Sequence, residues 1–186
     1  LDRIPAPLAA RLEGVRSAMI LGPGANADEI ELLWRRLPHV REIHLVEVVA
    51  DYIKAQDDFL VQHPDWAVNA DGDPIAYYAW RAPMGALPVE LNGSMDFLFD
   101  HQVLDFGYLG RLGMETVARS LNRVLRPSGL HVSFVFGSEP AMDEYLGPAL
   151  FRDETLALAL RGPPSVPALP KVPPAGVSSQ AEDFLN

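Results

Sequence analysis

The sequence contains no cysteine. Disulfides, thiolate nucleophiles, cysteine-ligated zinc and iron–sulfur clusters are excluded together. The absence leaves the compartment open, because exported proteins also do without the residue. Lysine is scarce, with only Lys54 and Lys171. Positive charge as a whole is short: 15 Lys and Arg stand against 25 Asp and Glu, a formal net charge of −10. A surface of that sign repels phosphate backbones and anionic lipid, so nucleic acid and membranes are not expected as partners. No apolar run approaches the ~18 residues of a membrane-spanning helix. None of the secretory type opens the chain either, and a cytoplasmic location is expected. The chain opens on Leu1 and so reads as lacking its natural start.

What is present suits one globular domain. The chain has 186 residues, 48% hydrophobic and 22% charged, and a chain of that size buries about 70% of its unfolded surface. The domain is expected over 1–161. From 162 the sequence runs GPPSVPALPKVPPAGVSSQAEDFLN and holds six of the 17 prolines. Proline at that density blocks helices and sheet ladders, so 162–186 reads as an extended tail. It is either a loose terminus or an arm lying on its own domain or on a second subunit. Val166, Leu169, Val172 and Phe184 would give such an arm its grip.

Before the tail, strand and helix patterns alternate. A leading helix is expected in 1–14 and an apolar strand over 17–21, ending in Gly22-Pro23-Gly24. Asn26 or Asp28 caps a helix in which Ile30, Leu33, Trp34 and Leu37 share a face, and Pro38 ends it. A second strand over 43–46 closes on Glu47. A helix over 50–63 follows, with Ile53, Gln56 and Leu60 on one side. Further strands are expected over 95–99 and 130–136, joined by a helix over 114–125 and a turn over 126–129. This alternation implies right-handed βαβ crossovers and a doubly wound, mainly parallel α/β sheet. In 66–80, Asp71-Gly72 between apolar flanks signals an inserted hairpin. Its Trp66, Tyr77, Tyr78 and Trp80 would wall a pocket for a planar molecule, cover a dimer edge, or simply pack.

The stretch MILGPGANADE (19–29) is a strand, a Gly-x-Gly turn and a helix start. Glycine at 22 permits a sharp turn, and glycine at 24 lets a ligand approach the backbone. The helix start beyond offers free N–H groups and a positive dipole end. Glu47, at the end of the next strand, can accept both hydroxyls of a ribose. A nucleoside-bearing cofactor uses this geometry, though a plain strand–helix turn would show the same glycines. LGPGANA also satisfies the dinucleotide pattern G-x-G-x-x-A. Farther on, His101 and Asp105 read as a base with its orienter, as two metal ligands, or as a polar rim. No third ligand is spaced to complete a metal site, and none is expected. Tyr108, in DFGYLGRLG, reads as an acceptor contact or as a loop anchor. His39, His44, His63 and His131 show no partner pattern and are expected to be structural.

Two later segments separate the cofactor classes. APMGALPVELNGSMDFLFDHQVLDF (82–106) carries Ala86-Leu87-Pro88, Asn92-Gly93-Ser94 and Asp96-Phe97-Leu98-Phe99. METVARSLNRVLRPSGLHVSF (114–134) joins a helix, a proline–glycine turn and a strand. With the first turn and Glu47, residues 15–136 resemble the class I, Rossmann-like S-adenosylmethionine-dependent methyltransferases. The resemblance implies that Gly22, Pro23, Gly24 and Asn26 lie along the methionine and ribose parts of S-adenosylmethionine. It implies that Glu47 binds the ribose hydroxyls, Val48 the adenine face and Met84 the adenine edge. Asp100 and His101, just past the fourth strand, would face the methionine end and the methyl acceptor, with Tyr108 nearby. Asp100, His101 and Tyr108 are therefore the candidate catalytic residues.

The chain departs from the family's pattern at Ile20 and Pro83, where acidic residues are usual, and at Asn26, where a third glycine is. The family also ends with a helix and an antiparallel strand pair, for which DETLALALRG (153–162) leaves room for one element. A fold shortened at its C-terminal end, or completed by the tail or by a second subunit, is the expectation. The implied activity is methyl transfer to a small molecule. The alternatives are a degenerate methyltransferase-like domain used for assembly, with a homodimer built on the tail or the 66–80 hairpin, or the same fold with other chemistry.

Overall fold

The computed structural model describes residues 5–101, 106–134, 145–146, 149–153 and 158–162. The proline-rich tail from 163 onward lies outside them. Pro5 and Pro7 flank the start of α1 (Ala6–Glu13), where a missing N–H removes no helical hydrogen bond. Gly14 ends the helix and leads into β1 (Ser17–Leu21), which is buried along its whole length. In α2 (Asp28–Arg36), Asp28, Glu29 and Glu31 stand in the first turn and Arg35 and Arg36 in the last, matching the helix dipole. Asn26 does not cap this helix. Its Oδ1 accepts from the Asp28 N–H two residues on, an Asx turn that orients the entry.

The strand β2 (Glu42–Glu47) and the helix α3 (Ala50–Gln62) follow, and His63-Pro64 stops the helix. β3 (Ala76–Arg81) pairs parallel with β2 from Glu42↔Ala76 to Glu47↔Arg81. The aromatic stretch is thus chiefly an edge strand of the main sheet. Of the hairpin expected over 66–80, the turn at Gly72 is present, closed by a single antiparallel bridge between Val68 and Pro74. Asn69 organises that turn: its Oδ1 accepts from the N–H groups of Asp71 and Asp73. A parallel strand formed because the aromatic residues Tyr77, Tyr78 and Trp80 favour the extended backbone, and β2 offers them a full ladder.

β4 (Met95–His101) lies on the other side of β1, and α4 (Phe106–Val124) crosses to β5 (Leu125–Phe134). The helical run is broken at Gly110, which has φ 61°. The expected turn over 126–129 is a bulge inside β5, because Met95 faces Leu125 while Phe97 faces Leu130. Asp96 secures it from within β4. One of its oxygens accepts the N–H groups of Arg16 and Ser17, and the other pairs with Arg126.

The sheet order is β3-β2-β1-β4-β5-β7-β6. The first five strands are parallel, and β7 (Leu158–Arg161) and β6 (Ala149–Asp153) form an antiparallel pair against β5. Where the sequence leaves room for one closing strand, the structure has two. The two sheet faces bury separate cores. Ile20, Ile43, Leu45, Phe97 and Phe99 pack against α1 and α2, while Met19, Leu21, Val46 and Leu98 pack against Met114, Val117 and Leu121 of α4. A parallel sheet covered on both faces explains why its strands read as continuous apolar runs. No helix among the described residues is long and apolar enough to cross a membrane.

Candidate functional site

In the strand order, β1 stands between β2 and β4, so the chain winds away from it in both directions. In open parallel sheets, such a switch point opens a crevice beyond the carboxyl ends of the strands. A cleft of about 460 Å³ lies there, within the roughly 300–1,000 Å³ usual for small-molecule sites. Gly22 and Gly24 supply its floor and Val46, Glu47 and Val48 one side. The segment from Ala82 to Gly85 and the α4 residues Leu109 and Val117 supply the other. Tyr52 closes the rim.

Both glycines adopt left-handed backbone angles, φ 60° at Gly22 and 68° at Gly24. These turn β1 sharply toward α2, which a residue with a Cβ would resist. The Gly22 N–H donates to the Val46 carbonyl at 2.8 Å, tying the turn to β2. Among the described residues, nothing beyond its chain neighbours lies within 4 Å of where a Cβ on Gly24 would stand.

Glu47 is the polar centre. Its Oε1 accepts the N–H groups of Val48 at 2.7 Å and Val49 at 3.0 Å, and its Oε2 accepts the Gly24 N–H at 3.2 Å. Backbone amides of two elements therefore orient one carboxylate. A carboxylate has about four acceptor positions, so one remains for a ligand. The walls are otherwise apolar, with Val48 exposed at the mouth beside Tyr52. The arrangement can bind a flat apolar group between Val48 and Met84 and a hydroxyl on Glu47.

Of the expected site residues, Gly22, Gly24, Glu47, Val48 and Met84 meet in this cleft. Pro23 and Asn26 belong to the turn but are not among the lining residues. Asp100 and His101 are the last two residues of β4 rather than loop residues past it. Asp100 is fully buried and does not line the cleft. Its Oδ2 accepts from His131 Nε2 at 2.7 Å, and His131 is equally buried. The side chains of His101 and Tyr108, and all of Asp105, lie outside the described residues. No cluster of metal-binding side chains occurs among the described residues.

The other histidines have local ties. His39 pairs with Asp71 at 2.6 Å, and His63 stacks on Trp66. His44 stacks on Tyr78, and its Nδ1 accepts from Trp80 Nε1 at 2.9 Å. Burial holds His44 below the usual histidine range, opposed by the charge of Glu42. Tyr77 donates to the Trp66 carbonyl, and burial, with the charge of Asp65 beside it, pushes its hydroxyl well above the usual range. None of Trp66, Tyr77, Tyr78 and Trp80 lines the cleft.

Sequence reasoning missed Tyr52, Leu109, Val117 and Gln56. Tyr52 falls in the first turn after Glu47, where a helix must face the crevice. Gln56 is a fully buried amide on the inner face of α3, and its Nε2 donates to the Gly24 carbonyl at 2.7 Å. A glutamine among apolar positions was its signal.

No protein-family model and no curated protein matches the sequence. Solved structures do. The sugar N-methyltransferase KedS8 of a Streptoalloteichus species is 18% identical, with a TM-score of 0.51, over 72% of this chain and 46% of that one. A candidate sarcosine dimethylglycine methyltransferase of Galdieria sulphuraria is 20% identical, with a TM-score of 0.50, over 68% of this chain and 42% of that one. The chain spans less than half the length of either protein. What it shares with them is the Rossmann-like fold of class I methyltransferases.

Proposed function

We propose that this chain, built on the class I methyltransferase fold, binds S-adenosylmethionine in the cleft at the β1–β2 end and transfers its methyl group to a small molecule. One observation carries the reading. The left-handed glycine turn after β1 and the carboxylate at the end of β2 face the same cleft, with the Gly24 N–H bound to Glu47. The residues present fit the cofactor. Glu47 would take a ribose hydroxyl on its open acceptor position, while Val48, Pro83 and Met84 would pack on the adenine. Gly22 and Gly24 would leave room along the methionine part.

Bound S-adenosylmethionine supplies an electrophilic methyl on a sulfonium, so the protein's work is alignment and exclusion of water. Here the apolar wall of Leu109 and Val117 excludes water, and the amide-held Glu47 fixes orientation. A general base enters only for an acceptor that must lose a proton. The acidic composition favours a small acceptor over nucleic acid. In this reading His101 and Tyr108 are the acceptor-side candidates.

Isothermal titration with S-adenosylmethionine and with S-adenosylhomocysteine tests the proposal. Saturable binding of both is expected, and an absence of heat at millimolar ligand would sink it. One observation favours a second reading, a degenerate domain used for assembly. Three of the acceptor positions of Glu47 are already taken by the N–H groups of Gly24, Val48 and Val49. A stable dimer that binds neither ligand would favour that reading.

A further inference from the structure

Gln56 is a polar side chain where α3 needs an apolar one. It sits between Ile53 and Leu60 on the inner face and is fully buried. Its Nε2 donates to the Gly24 carbonyl at 2.7 Å, while the Gly24 N–H donates to Glu47 Oε2 at 3.2 Å. The two peptide groups flanking Gly24 are thus held from two different elements, α3 and β2. Among the described residues, no atom beyond the chain neighbours lies within 4 Å of a Cβ built on Gly24. The described residues do not pack against Gly24 on that side, and its two hydrogen bonds hold it, next to the Gly22–Val46 tie.

The orientation of the amide follows from its partner. Turned over, its oxygen would face the Gly24 carbonyl, acceptor against acceptor. In the orientation present, Oε1 is buried with no partner among the described residues. A lone buried acceptor is unfavourable, so leucine here would serve stability at least as well. The glutamine is explained by its hold on Gly24.

Glu47 explains why the hold is needed. With three N–H groups already accepted, it offers one open position. A ligand presenting two neighbouring hydroxyls takes that position and competes for the one used by Gly24, whose hydrogen bond is the longest of the three. Once the Gly24 N–H is released, the Gln56 amide of α3 is what still holds Gly24, while Gly22 stays tied to Val46.

We infer that Gln56 is the positioning residue of the glycine turn, holding Gly24 in place while a ribose-type diol occupies Glu47. The inference rests on the nucleoside-cofactor reading above and names the residue outside the cleft that sets its affinity. The test compares wild type, Gln56→Leu and the near-isosteric Gln56→Glu. Each is titrated with S-adenosylhomocysteine, melted, and followed by hydrogen exchange in a peptide covering 22–27. Loss of one hydrogen bond predicts about tenfold weaker binding by Gln56→Leu. Gln56→Glu, which sets a carboxylate against the Gly24 carbonyl, should bind more weakly still. Exchange in the turn should quicken while β1 and β4 keep their rates, and the melting point of Gln56→Leu should not fall.

Wild-type affinity and turn exchange in both variants would overturn the inference and leave the cofactor reading standing. A loss of affinity matched by faster exchange throughout the sheet would also overturn it, marking Gln56 as an ordinary core residue. If wild type does not bind the ligand, the cofactor reading fails. Turn exchange then decides alone: quickened exchange upholds the hold on Gly24, and unchanged exchange overturns it. If Gln56→Leu does not fold, Gln56→Glu decides by the same measurements.

Discussion

Two carboxylates flank the end of β1, and they live in different ways. Leu21 pairs with Val46 on one side and with Asp100 on the other, so Glu47 and Asp100 stand nearly level on neighbouring strands. Glu47 is held by three backbone N–H groups and lines the cleft. Asp100 is held by the side chain of His131 and is sealed beneath α4, beside Ser133, which accepts from the buried Arg161 at 2.6 Å. Backbone donors sit at fixed positions and leave a carboxylate room for a visitor. Side-chain donors from neighbouring strands close over it. The difference divides the sheet end into a β1–β2 half that opens onto the cleft and a β4–β5 half whose carboxylate is buried in a polar core.

The sharpest way to break that division is to remove each carboxylate in turn. Asp100→Ala leaves His131 buried without its acceptor and should destabilise the fold by about 3 kcal/mol, read as a lower urea midpoint. A cost under about 1 kcal/mol, typical of a solvated site, would put Asp100 on the ligand's side of the division. Glu47→Ala should do the reverse. It should weaken S-adenosylhomocysteine by about 2 kcal/mol, the worth of a hydrogen bond to a charged group, and lower fold stability by about 1 kcal/mol. Titration and urea unfolding of the same preparations check both numbers. A Glu47→Ala protein that binds normally would remove the β1–β2 half from the site.

Gly24→Ala is a smaller perturbation. With φ at 68° an alanine is strained, by about 1–2 kcal/mol, yet among the described residues no atom stands in the way of its Cβ. Ligand affinity should therefore fall by about tenfold, with the sheet itself unaltered in its circular dichroism. Unchanged affinity would mean that the turn shifts freely and that its left-handed angle is not required.

The sequence made the β1–β2 half legible because its parts are local. Gly22, Gly24 and Glu47 close a βαβ unit, and chain order alone brings them together. The β4–β5 half was hidden for the opposite reason. Asp100 and His131 meet only through the register of two strands, and the segment 126–129, which reads as a turn, is a bulge that shifts that register. β3 was read as part of a hairpin because Asp71-Gly72 signals one, and a turn does form there. Pairing with β2 then claimed the aromatic residues that followed. Of the antiparallel pair, the stretch 153–162 shows room for one closing element, and β6 (Ala149–Asp153) lies before it. Gln56 was visible but unexplained, since its partner is a carbonyl on another element.

The smallest effect separates two buried histidines, one in each half. His131 donates to a carboxylate, whereas His44 Nδ1 accepts from Trp80. Only an unprotonated Nδ1 can accept, so acid opposes the His44 arrangement directly. Burial works in the same direction, while Glu42, 3.7 Å away, works against it. The other groups stacked over the ring are Tyr78 and Trp80 of β3. A folded-state pKa below the unfolded value of 6.5 means that the unfolded chain binds the extra proton first. The contribution of His44 is therefore complete above pH 6.5 and is lost as pH falls through the lower, folded-state value. The stability of wild type relative to His44→Gln, measured by urea unfolding, should decline over that window. The Trp80 emission should change with it, because the indole N–H loses its acceptor. A difference that stays flat with pH would show that Glu42 cancels the effect of burial and that the ring keeps its place when charged.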